Sequence, residues 1–189
     1  YCIQILSDDL ASMSYRTIGQ QIAPLIIRTR GHRLEGIWHS GSQMAAMIHL
    51  LRGIHILTPR NMTQAAGFYN TLMQIDQHAI VVECLNVYRI KEKPPINLGE
   101  FTVPLGKIEI ITLGNDITVI SYGSSLGIVE ATNKRLKQEG ISIEIIDIQS
   151  LIPFDLEKDI HKSISNTNRL LIVDEDVPGG ASSYILQQL

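Results

Sequence analysis

Apolar residues recur at three- and four-residue steps near the start of the chain. Ile3, Leu6, Leu10 and Met13 fall on one side of a helix, and Gly19 ends the pattern. The run from Ile22 to Arg28 predicts a short buried strand. Residues 30–42 hold Gly, Ser and His without a period and predict a loop. A helix is expected from Gln43 to Leu51, broken by Gly53, and a strand from Ile54 to Thr58, ended by Pro59. Asn61 is placed to cap the next helix, whose inward face would be Met62, Ala65, Ala66, Tyr69 and Met73. The uninterrupted run Ala79–Glu83 predicts another buried strand. Helices alternating with buried strands define an α/β fold with a mostly parallel sheet.

Residues 89–107 change character. Lys91, Glu92, Lys93, Pro94, Pro95, Gly99 and Pro104 are the chemistry of an exposed, extended linker, so the chain divides into units 1–88 and 108–189. The alternation then resumes. Strands are expected at Lys107–Leu113 and Ile117–Tyr122 around a Gly114-Asn115-Asp116 turn. A helix follows, with Leu126, Val129 and Leu136 on one face. Ile141–Ile148, apolar on both faces, predicts a central parallel strand; a short helix at Leu156–Ile164 and a strand at Arg169–Val173 complete the pattern. Both units thus read as doubly wound, mostly parallel sheets.

The chain has 189 residues, of which 44% are hydrophobic and 19% charged, enough apolar surface for a packed core and against disorder. The net charge of −3 lacks the basic footprint of a nucleic-acid binder. No apolar run approaches the ~20 residues of a membrane span. Cys2 and Cys84 predict reduced core thiols, not a disulfide framework, as in a cytoplasmic protein. The absence of an initial Met and of a polar tail after the last apolar helix, 180–189, predicts a fragment of a longer chain.

Candidate chemistry is sparse. Tyr122-Gly123-Ser124-Ser125 joins a strand to a helix, but lacks the Gly-x-Gly-x-x-Gly or Lys of a phosphate loop; a tight turn with Ser capping the helix accounts for it. Asp174-Glu175-Asp176 stands at a strand's C-terminal end, where α/β proteins build sites, yet adjacent residues diverge and a solvated strand end is the simpler reading. His39 sits in the Gly/Ser loop beside Ser40 and Ser42, just before a helix N-terminus, which makes it the candidate functional imidazole. His32, His49, His55, His78 and His161 have no clustered partners and read as structural.

Several stretches, taken in order, resemble a known family. Ile-Thr-Val-Ile-Ser-Tyr-Gly-Ser at 117–124, followed by Ile-Ser-Ile-Glu-Ile-Ile-Asp-Ile-Gln-Ser-Leu-Ile-Pro-Phe-Asp at 141–155, resembles the C-terminal domain of transketolase-like thiamine diphosphate enzymes. Gly-Ile-His-Ile-Leu-Thr-Pro-Arg at 53–60, with Gln64-Ala65-Ala66-Gly67, resembles the pyrimidine-binding domain of the E1 beta subunit of 2-oxo acid dehydrogenases. Val103–Lys107 and Arg169–Glu175 match the start of that family's second domain and a later strand. The family's His-Ser-Gln loop, with a second histidine ten residues on, matches His39 and His49. Ser40-Gly41-Ser42-Gln43 departs from the plain pattern, and Ser40 is the rival position in a shifted alignment.

The resemblance implies a fold of part of a pyrimidine-binding domain plus part of a transketolase C-terminal domain. It implies decarboxylation of a 2-oxo acid and acyl transfer to lipoyl-E2, with His39 as catalytic residue. The cofactors would be thiamine diphosphate and a Mg²⁺ held mainly by an E1 alpha part, subunit or fused domain, within a homo-oligomer or heterotetramer. The family's catalytic glutamate lies upstream of this chain, so these residues alone should be inactive. Pro59-Arg60, Gln64-Ala65 and Tyr88-Arg89 look more like branched-chain enzymes, acting on 2-oxoisovalerate, than pyruvate ones. The alternatives are a pyruvate or acetoin dehydrogenase E1 beta, another transketolase-like enzyme, and a non-catalytic α/β assembly module. The family's potassium site would fall at Leu72, Met73 and Gln77, but Ile75 stands where its aspartate belongs, with Asp76 next to it. Gln149 occupies a position where the family often has Arg at a subunit interface.

Overall fold

The computed structural model describes residues 2–32 and 41–189. The first segment is helical as the spacing predicts: α1 (Cys2–Gln4), a π-helical turn (Ile5–Leu10) and α2 (Met13–Arg16). The elements that follow are β1 (Ile26–Arg30), α3 (Met44–Leu50), β2 (His55–Leu57), α4 (Met62–Leu72) and β3 (Ala79–Glu83). Between β3 and β4 (Glu109–Thr112) the only such element is a 3-10 turn at Leu85–Val87. Then come β5 (Ile117–Ser121), α5 (Ser125–Gln138), β6 (Ile143–Asp147), β7 (Ser150–Ile152), α6 (Asp159–Thr167), β8 (Leu170–Val173) and α7 (Ala181–Gln188).

The strands form two four-stranded sheets, ordered β1-β3-β2-β7 and β4-β6-β5-β8. Pairing is parallel except at β7 and β4, each antiparallel to its neighbour. Both sheets are therefore mostly parallel, as the alternation of elements implies. β6 lies inside its sheet and is buried throughout, as its β-branched run predicts. Asn61 caps α4, its side-chain oxygen accepting the Gln64 N–H at 2.8 Å. β1 begins four residues later than Ile22, and α6 spans Asp159–Thr167 rather than Leu156–Ile164. Cys84 is buried as expected, but Cys2 is exposed on the helical segment and is not a core thiol.

Strand alternation sorts the core into layers. On β3, Ile80 and Val82 face the cluster of Leu10, Met44, Ile48 and Ile54, while Ala79 and Val81 face Phe68 and Leu72 of α4. The first cluster does not stop at the first sheet. Ile120, Ile146, Ile148, Leu151, Ile160 and Ile185 belong to it, so residues on both sides of the Pro-rich stretch share one core. β7 tightens the join. It follows Gln149, whose φ is +59°, and pairs with β2, so that the first sheet is completed by a strand from the second half. No strand was expected at 150–152, because three residues are too few to show a period.

Candidate functional site

His39 and Ser40 lie outside the described residues, so the site is built from what flanks them. β1 leads through Gly31, whose N–H donates to the Glu83 carbonyl at 2.6 Å, to His32. On the other side Ser42 and Gln43 lead into α3. Ser42 and Gln43 also rim an apolar groove of about 360 Å³ lined by Ile3, Leu6, Ile27, Met47 and Leu50.

At the C-terminal end of β3, the buried Glu83 carboxylate accepts from Tyr69 Oη at 2.6 Å, Tyr88 Oη at 2.7 Å and Arg28 Nε at 2.7 Å. Burial pushes this carboxyl up, but the three donors outweigh burial and hold it below the usual carboxylate range. The Arg28 guanidinium also lies 5.8 Å from the centre of the Tyr88 ring.

A second polar network joins the sheets. Arg60 forks onto Glu109 at 2.7 and 2.9 Å and reaches the fully buried Asp147 at 2.9 Å. Gln64 Nε2 donates to Glu109 at 2.6 Å and to the Gln149 side chain at 2.8 Å. The Gln149 carbonyl accepts the Thr58 N–H at 2.7 Å. Gln149 is thus buried and engaged within this chain. Burial holds the Asp147 carboxyl up at about 7, against the downward pull of Arg60 and of the Gln149 amide.

The acidic run is not a solvated strand end. Each of its three carboxylates meets backbone N–H groups at the start of a different helix. Asp174 accepts the Ser182 N–H of α7 at 2.6 Å and the Tyr122 hydroxyl. Glu175 accepts the Ser124 N–H at the start of α5 at 3.0 Å, and Asp176 accepts the Ala45 N–H of α3 at 2.7 Å. The cap on α5 therefore comes from Glu175 and not from a serine: Ser124 makes no side-chain cap bond, and Ser125 Oγ turns back to the Tyr122 carbonyl at 2.8 Å. Burial pushes the Glu175 carboxyl up to about 7, opposed by the Ser124 and His32 amides.

The raised Glu175 carboxyl has a consequence for stability. The folded chain keeps a proton that the unfolded chain, with an ordinary carboxyl near 4.5, releases, so stability falls as pH rises from about 4.5 to 7. The lowered Glu83 and Glu109 carboxyls act oppositely, their contribution being lost as pH falls through their folded values. Glu175→Gln keeps an acceptor for Ser124 and removes the charge. Chemical denaturation of the variant should show a flatter pH dependence, gaining on the order of 2 kcal/mol over the parent between pH 5 and pH 8. An unchanged slope would contradict the assignment.

Of the other predicted residues, Leu72 ends α4 with its carbonyl accepting the Ile75 N–H at 3.4 Å, Met73 caps that helix, and the Gln77 side chain is bonded to the His55 ring. His78 Nδ1 contacts the Ala23 carbonyl at 3.2 Å in a buried, structural setting. Among the described residues no group of three or more His, Cys, Asp or Glu side chains is arranged to hold a metal ion. No helix among them is long and apolar enough to cross a membrane.

Two mostly parallel sheets sharing one core, with polar residues gathered at strand ends, define an α/β protein. A solved structure described as "Split gene transketolase, inactive beta4 tetramer" has the same fold, with a TM-score of 0.69 over 99% of this chain and 60% of that one, at 18% identity. Residues 106–189 match the family Transketolase, C-terminal domain. Nearly the whole chain is similar to E1 beta subunits of 2-oxo acid dehydrogenases. It is 31% identical over 97% of its length to the pyruvate dehydrogenase E1 component subunit beta of Mesostigma viride, covering 56% of that protein. Against the 2-oxoisovalerate dehydrogenase subunit beta of Bacillus subtilis it is 28% identical over 94% of its length, covering 54%. An acetoin:2,6-dichlorophenolindophenol oxidoreductase subunit beta, also from Bacillus subtilis, is 27% identical over 94%, with 51% covered. The chain spans about half the length of these relatives.

Proposed function

We propose that the chain forms the beta-side wall of a thiamine diphosphate site in the E1 component of a 2-oxo acid dehydrogenase complex, with His39 as its catalytic imidazole. The observation that carries this is collinear similarity to E1 beta subunits over 97% of the chain, on a transketolase-like fold. The division into 1–88, a linker at 89–107 and 108–189 belongs to the same reading, as does a cytoplasmic location.

The described residues fit one side of such a cofactor. The groove of Ile27, Met47 and Leu50, rimmed by Ser42 and Gln43, suits an aromatic ring, and its lining includes no carboxylate. Thiamine diphosphate, if bound there, would supply a carbon nucleophile and an electron sink for decarboxylation. The residues of this chain exclude water with the apolar wall and present an imidazole able to move a proton. The Mg²⁺ and diphosphate fall to the E1 alpha part, and the lipoyl-bearing E2 is the acyl acceptor. Nothing among the described residues favours potassium: the Gln77 side chain is taken by His55.

For the substrate we propose a branched-chain 2-oxo acid, 2-oxoisovalerate. Supporting this, Pro59-Arg60, Gln64-Ala65 and Tyr88-Arg89 look more like branched-chain enzymes than pyruvate ones. The full-length protein, assembled with its E1 alpha partner, thiamine diphosphate and Mg²⁺, should decarboxylate 2-oxoisovalerate with a kcat/KM at least ~10-fold above that for pyruvate, in line with selection by apolar pocket contacts. His39→Ala should lower turnover by roughly 10²–10⁴-fold. Preference for pyruvate or acetoin would overturn the substrate. Turnover of sugar phosphates alone would overturn the class.

A further inference from the structure

The stretch that carries His39 joins His32 to Ala45, and both of these residues are held by side chains from the far half of the chain. Ser124 Oγ donates to the His32 carbonyl at 3.1 Å, and the His32 and Ser124 amides both act on the Glu175 carboxyl. Asp176 Oδ2 accepts the Ala45 N–H at 2.7 Å, a bond between residues 131 positions apart.

These side chains sit in built niches. A Cβ on Gly180 would fall 2.7 Å from both Cγ and Oδ2 of Asp176, and one on Gly123, at φ +59°, would fall 3.0 Å from Oε2 of Glu175. Asp174 braces the arrangement, since its Oδ1 accepts the Asp176 N–H at 3.0 Å while Tyr122 and Ser182 hold its carboxylate. The start of α3 needs acceptors in any case, and a neighbouring residue usually supplies them. Here the N-cap, Gln43, makes no side-chain cap bond, and Ser42 Oγ reaches only the Met44 N–H, at 3.4 Å. A local cap would stabilise the helix equally well. Only a remote one ties the helix start to the second sheet.

We propose that Asp176, together with Glu175 and Ser124, is a positioning residue that holds His32 and the start of α3, the described residues on either side of His39, against the second sheet. This rests on the reading of His39 as the catalytic imidazole. Misplacing a catalytic group by about 1 Å costs ~10²-fold in rate.

The test uses the full-length protein with its alpha partner and follows amide hydrogen exchange alongside kcat and KM. In Asp176→Ala, exchange should rise at least ~10-fold in peptides covering 32–50 and stay unchanged over 143–147, as in local opening. kcat should fall roughly 10–100-fold with KM for the 2-oxo acid little changed. Asp176→Asn, which keeps an acceptor for Ala45, should restore both. Ser124→Ala reads the other end and should loosen 32–50 again. If exchange rises through the second sheet as well and Asn does not rescue, the residue is only structural and the proposal falls. If His39→Ala abolishes turnover while Asp176→Ala and Ser124→Ala leave exchange and kcat unchanged, the proposal falls and the E1 reading stands. Confined loosening in a protein that turns over no 2-oxo acid sustains the tether and overturns the E1 reading instead.

Discussion

Replacing Arg60 with Met should destabilise the chain by about 3–5 kcal/mol at pH 8, the usual cost of removing one partner from a buried ion pair. The reason lies in what is left behind. Glu109 has a half-exposed side chain and recovers water, whereas Asp147 is fully buried and keeps only the Gln149 N–H at 3.0 Å. Its carboxyl, already held up at about 7, rises further without the guanidinium. The folded variant therefore binds a proton that the unfolded chain releases, so the defect shrinks as pH falls toward 5 and grows as it rises toward 8. Asp147→Asn in the same background should recover much of the loss at pH 8. Urea denaturation at the two pH values measures all of this. A defect independent of pH would show that Asp147 is not the group left unpaired.

The second large effect is expected at Gly114, in the turn between β4 and β5. An added Cβ would fall 2.1 Å from the Ile143 carbonyl carbon and 2.4 Å from the Glu144 nitrogen. These are backbone atoms of a buried strand paired on both sides, so neither can yield as a flexible side-chain tip would. Gly114→Ala must push the turn off β6, and with it the Asp116 carboxylate that accepts the Ser142 N–H at 2.6 Å. Overpacking typically costs 1–3 kcal/mol, and collision with backbone places this change at the upper end, about 3 kcal/mol. Gly127→Ala is the control, since its Cβ would meet nothing within 4 Å. It should be neutral or stabilising in the helix. Equal midpoints for the two variants would refute the packing account.

Much of the fold was legible because burial writes a period into the chain. Ala79–Glu83 and Ile143–Asp147 are rich in β-branched apolar residues and lie inside their sheets, and the Asn61 cap depends on a partner three residues away. The elements that escaped are those whose partners are remote. Ser150–Ile152 is a strand only because β2 lies beside it. Asp174, Glu175 and Asp176 resemble a solvated strand end because nothing in their own spacing points to α7, α5 and α3. Gly123 and Gly180, which leave room for two of these carboxylates, were the available signal, and each also passes for an ordinary turn residue. The part of the candidate site that comes from spacing, His39 with His49, is local. The bonds from Ser124 to His32 and from Asp176 to Ala45 are not.

β7 gives the molecule a seam that the order of its residues hides. A polypeptide divided within the Pro-rich stretch would carry off, with its later piece, the three residues that close the earlier piece's sheet at Ile56 and Leu57. The earlier piece would be left with a bare hydrogen-bonding border and half a hydrophobic interior, a surface prone to stick to other copies. The two halves share one core and one sheet, and a cut backbone would remain clamped by this strand.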